Sequence, residues 1–133
     1  MTALDTIVWN QLALEEKFKS YPEPLDTVAA MRTAYVGYPF SMEKGNGGWW
    51  AEGTAFTALM YRLLGDEETA VLSLNALMDI QLQNGLFPAA TVDELPIGFE
   101  LFTGESWHYA ADAHIAPTAW FIMAVNGFDP YMF

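Results

Sequence analysis

Cysteine is absent from the 133 residues. That removes disulfides, thiolate nucleophiles and thiolate zinc sites together, while leaving the compartment open. Basic residues are scarce: Lys17, Lys19, Arg32, Lys44 and Arg62 face 17 acids, giving a net charge of −12. From Leu63 onward there are ten acids and no lysine or arginine. Such a surface repels phosphate backbones and anionic headgroups, which argues against nucleic-acid and membrane partners and favours a neutral or cationic ligand. Long hydrophobic runs are also missing. The longest, Ile115 to Val125, contains Pro117 and is about half the length that spans a bilayer. The start Met1-Thr2-Ala3-Leu4-Asp5 lacks the cationic, apolar and small-residue series of a signal peptide. No phosphate-binding glycine loop is present, because Gly45, Gly47 and Gly48 run into Trp49 rather than into Lys-Ser/Thr. Neither a serine or cysteine triad nor a cofactor motif is expected.

What is present suits one globular domain. The chain is 53% hydrophobic and 15% aromatic, so no segment is too poor in apolar surface to fold. Leu4, Val8 and Leu12, widened by Ile7 and Phe18, predict an amphipathic helix over residues 4–19, stopped at Tyr21-Pro22-Glu23-Pro24. A weaker helix is expected over 25–33, and residues 33–40 are ambiguous between a strand and an ordered apolar loop. Helices from Gly53 or Thr54 to Leu64 and from Glu67 to about Gln81, broken at Gly65-Asp66, form an expected helical hairpin. Asn84-Gly85 signals a turn, and residues 86–110 read as a long aromatic connection of the kind that is functional or wrongly assigned. A last helix, Thr118 to Val125 with Pro117 in its first turn, is apolar all round and expected to be deeply buried. Asn126-Gly127 ends it, and the apolar tail from Phe128 is expected to dock.

The run Gly45-Asn46-Gly47-Gly48-Trp49-Trp50-Ala51-Glu52-Gly53-Thr54-Ala55 concentrates the chemistry. Glycine permits close approaches, and an indole offers a flat apolar face with one donor, which suits the CH face of a sugar. Trp49 and Trp50 are adjacent, so one is expected in the core and the other toward a ligand. Trp107 is a further stacking candidate, whereas Trp120 reads as core. Glu52 admits two roles: a helix-terminus acid that satisfies backbone N–H groups, or a desolvated general acid with a raised pKa. The stretch Trp107-His108-Tyr109-Ala110-Ala111-Asp112-Ala113-His114 is the second polar and aromatic concentration. Its two histidines stand six apart, a spacing no sustained helix places on one face, so no metal site is expected. Glycoside hydrolysis uses two carboxyl groups about 5–10 Å apart. Glu52 and Asp112 are the candidate catalytic pair, with Trp49, Trp50, Trp107, His108, Tyr109 and His114 as candidate substrate-binding residues.

Three segments then resemble bacterial α/α-toroid domains of the six-hairpin glycosidase type. They are Trp49-Trp50-Ala51-Glu52-Gly53-Thr54-Ala55, Gln81-Leu82-Gln83-Asn84-Gly85-Leu86-Phe87-Pro88-Ala89-Ala90, and His114-Ile115-Ala116-Pro117-Thr118-Ala119-Trp120-Phe121 with Gly127-Phe128-Asp129-Pro130-Tyr131. The resemblance implies an all-α fold, a partial (α/α) toroid with long aromatic loops. It also implies a glycan or other neutral small molecule as ligand, Trp49, Trp50, Glu52, Trp107 and His108 near a carbohydrate cleft, and a secreted bacterial setting. A closed six-hairpin ring needs about twelve helices and about 300 residues. This chain would therefore be the C-terminal portion of a longer enzyme, half of a homodimer, or a non-catalytic glycan-binding or oligomerisation module. Gln81-x3-Gly85-x-Phe87 is also similar to the Gln-x3-Gly-x-Trp repeat of terpene cyclases, without an Asp-rich signature.

Overall fold

The computed structural model describes residues 2–14, 23–42 and 47–132. Apolar spacing produces five helices: α1 (Leu4–Leu14), α2 (Glu23–Met31), α3 (Ala51–Leu63), α4 (Glu67–Asp79) and α5 (Ile115–Asn126). The first expected helix is present to Leu14, and its extension to residue 19, with the stop at Tyr21-Pro22, falls outside the described residues. Residues 33–40 form a loop whose Tyr38 and Phe40 enter the core.

Helix α3 is the centre of the molecule. Ala51 and every residue from Gly53 to Met60 are buried, because α1, α4 and α5 all pack on it. Its Ala51, Gly53, Ala55 and Ala58 let neighbours approach closely, while Phe56 and Leu59 fill the space between them. The α3–α4 hairpin forms as its sequence signals require. Gly65 adopts φ +88, and the Asp66 carboxylate accepts the Thr69 N–H at 3.0 Å to cap α4. Arg62 then ties three helices together. It donates to the Ala124 and Val125 carbonyls at the end of α5, at 2.5 and 2.8 Å, and pairs with Glu67 in the first turn of α4. Gly127, at φ 62, closes α5 where Asn126-Gly127 predicted its end.

The all-α expectation, and with it the partial (α/α) toroid, is corrected. Among the described residues about 49% are helical and 15% are in strands or isolated bridges, and the strands make two small antiparallel sheets. One pairs β1 (Phe87–Pro88) with β4 (Ala113–His114), and the other pairs β2 (Leu95–Glu100) with β3 (Ser106–Tyr109). Much of the long connection is therefore a bulged hairpin. Aromatic and branched residues flank a turn in which Gly104 takes φ +81 and Leu101 N–H reaches the Glu105 carbonyl at 2.7 Å. Proline and glycine inside β2 mask the alternation that marks a strand.

Helix α5 also departs from expectation. Only Pro117 and Ala124 are buried, and Ile115, Ala119, Ile122 and Val125 form an exposed stripe at helical spacing. The helix packs mainly on α3, with smaller contacts to α4 and β1 that include Phe121 against Phe87. The tail leaves Phe128, Tyr131 and Met132 exposed as well.

Candidate functional site

Extended segments bring three helix starts to one end of the fold. Leu4 N–H donates to the Phe40 carbonyl at 2.8 Å, Trp50 N–H to Tyr38 at 2.9 Å, Ala51 N–H to Ala89 at 3.0 Å and Ala89 N–H to Asp112 at 2.8 Å. This chain of backbone bonds gathers the beginnings of α1, α3 and α5. Asp5, Glu52 and His114 stand at those beginnings, one on each.

Glu52 is half-buried, and burial raises its carboxyl pKa above the ordinary value of 4.5. The charge of His114 and the Trp120 indole N–H pull it down, and the charge of Asp5 pushes it up. Tyr109, on β3, is pushed up to about 12 by burial and then by the charges of Glu52 and Asp5. Its hydroxyl therefore remains a neutral donor at physiological pH. His114 accepts the Ala116 N–H on Nδ1 at 3.3 Å, capping α5. The site is thus a half-buried carboxyl bordered by a phenol, an imidazole, an indole and a second carboxylate.

Aromatic contacts set its walls. Trp50 stacks on Tyr109 with centroids 5.6 Å apart and planes 18° from parallel. Phe56 lies edge-on to Trp50 at 5.3 Å, to Trp120 at 5.7 Å and to Trp9 at 5.9 Å. Phe40 packs against both Trp50 and Tyr109 and carries Phe99 of β2 on its other side. The Trp50 indole N–H is buried with no hydrogen-bond partner among the described residues.

Trp49 and Trp50 are both core residues, at 5% and 3% exposure. They diverge as adjacent residues must: Trp50 joins the Glu52 cluster, and Trp49 packs against Gly37. Trp107 is 46% exposed on β3. It stands two residues from Tyr109 and so shares that residue's face of the strand. His108 is exposed on the opposite face, and His114 is exposed at the start of α5. The structure therefore gathers Glu52, Trp50, Tyr109 and His114. Asp112 is exposed and is not among the groups that act on Glu52; its carbonyl holds Ala89. The carboxylate that does act on Glu52 is Asp5, which sequence reasoning did not single out. Its only local signal was a place in a first turn, like that of Glu52.

Among the described residues there is no group of three or more metal-type ligands, and no helix is long and apolar enough to cross a membrane. No protein-family model, curated protein or solved structure matches the chain.

Proposed function

We propose that the Glu52 cluster binds a neutral, hydroxyl-rich ligand of the oligosaccharide class, with Glu52 as the group that donates a proton or hydrogen bond to a ligand oxygen. The observation that carries this reading is a half-buried carboxyl, its pKa raised by burial, set among aromatic rings. Trp107 extends the platform from Tyr109 toward solvent and supplies a flat face for a sugar ring.

In a hydrolytic version, Glu52 protonates the glycosidic oxygen and a second carboxylate, Asp5 or Asp112, assists on the other side of the ring. One observation favours a binding module without hydrolysis. Asp5 Oδ1 already accepts the Thr6 N–H at 2.6 Å and the Thr6 hydroxyl at 3.3 Å, which holds that carboxylate to its own helix turn.

A panel of neutral oligosaccharides followed by tryptophan fluorescence tests binding. Trp107→Ala is expected to weaken the best ligand about three- to tenfold, as loss of one stacking face implies. No response to any glycan sinks the reading. Reducing-sugar release by the wild type but not by Glu52→Gln selects the hydrolase, and binding without release selects the module.

A further inference from the structure

A separate cavity of about 370 Å³ lies beside α4, within the size range of small-molecule pockets. Trp49, Ala76, Ile80 and Val92 give it apolar walls, while Tyr35 and Asp79 supply its aromatic and acidic groups. None of these residues belongs to the Glu52 cluster. The geometry points to a binding site for a small organic cation, an ammonium group carrying an apolar body.

Four features converge on that ligand. Trp49 is fixed before any ligand arrives. Its N–H donates to Thr91 Oγ1 at 2.9 Å, its carbonyl accepts the Thr91 N–H at 3.1 Å, and Gly37 lies so close to the indole that an added Cβ would fall 2.1 Å from Cδ2. Tyr35 is 74% exposed although it borders an apolar cavity. It is held there by a tight turn in which Val36 N–H reaches Thr33 at 3.0 Å, Thr33 N–H reaches Gly37 at 2.9 Å, and Val36 is forced to φ 64. A β-branched residue in the left-handed region is a strained conformation of the kind retained at ligand clamps.

The charge has one sign. Among the described residues Asp79 is the only acidic or basic side chain lining the cavity, and none of them pairs with it. It is the last residue of α4, with Ile80 as the C-cap, so the negative dipole end of that helix lies at the same place. Two aromatic rings, one carboxylate and a helix C-terminus form the combination that stabilises a weakly hydrated cation. A net charge of −12 raises the local concentration of such a cation further.

Choline and its neutral isostere 3,3-dimethyl-1-butanol, titrated into the full chain, test this directly by amide and indole NMR shifts. Choline is expected to shift the Trp49 indole and the Ile80 and Val92 amides saturably, with the alcohol about tenfold weaker. Asp79→Asn and Tyr35→Ala alter exposed side chains, so both should keep the wild-type spectrum while weakening choline about three- to tenfold. Equal binding of the alcohol, shifts centred on other residues, no saturable shift, or full choline affinity in both variants would each overturn the proposal.

Discussion

Gly53 has no room for a side chain: a Cβ there would lie 2.4 Å from Trp50 Cε3 and 2.9 Å from Leu4 Cδ2. Gly48 is similarly filled, with Val92 Cγ2 at 2.3 Å. The glycines around the paired tryptophans thus make space for the indoles and their neighbours. Sequence alone shows that a glycine permits close approach but not what approaches, so these positions read equally well as ligand-facing. Gly53→Ala is expected to cost about 1–3 kcal/mol through overpacking, measured by denaturant unfolding with an unchanged m-value. Glu52 was legible as a desolvation candidate, because indoles precede it and an apolar helix follows. Of the charged groups that act on it, His114 was already a candidate for the same site, whereas Asp5 was not, because it lies far from Glu52 in sequence. The raised pKa has a definite sign in stability. Below the ordinary value of 4.5 the carboxyl is neutral in both states, and its desolvation costs nothing. As pH rises through the folded value, the folded protein must hold a poorly solvated charge, and stability falls. Glu52→Gln is therefore expected to raise the unfolding midpoint at pH 7, with the gain fading by about pH 4.

At the scale of elements, the capping and turn signals were the readable part. Gly65-Asp66, Asn84-Gly85 and Asn126-Gly127 each sit where a backbone needs φ above zero or a side-chain cap. The β2–β3 hairpin was hidden because Pro96 and Gly98 interrupt the alternation, and pairing with β3 supplies the order that local propensity lacks. Helix α5 misled in the opposite way: an apolar circumference states what a helix can bury, not what its neighbours cover. Two substitutions separate these cases in thermal unfolding. Phe56→Ala, at a fully buried ring touching three indoles, is expected to cost about 3–5 kcal/mol. Ile122→Gln, on the exposed stripe, should change stability by less than about 0.5 kcal/mol.

For the whole molecule, charge and connectivity dominate. Seventeen acids against five bases leave uncompensated repulsion, most of it after Arg62. Raising salt from about 0.05 to about 0.5 M shortens the screening length several-fold and is expected to raise the thermal midpoint. An unchanged or lower midpoint would show that local ion pairs outweigh the repulsion. The same field predicts weaker binding of acidic than of neutral oligosaccharides at low salt, with the gap closing as salt is added. Composition made this much readable, whereas the gathering of three helix starts depends on backbone bonds between distant segments.

Arg62 links positions 62 and 63 residues apart, fastening the end of the last helix to the end of the central one. During synthesis, α3 and α4 are complete before α5 leaves the ribosome, so the flank of α3 that α5 covers waits uncovered until then. The loop-closure entropy of that late contact falls in one step. The local α3–α4 hairpin should consequently form first and the α5 contact last, and chains halted before Ile115 would leave that flank of the central helix uncovered.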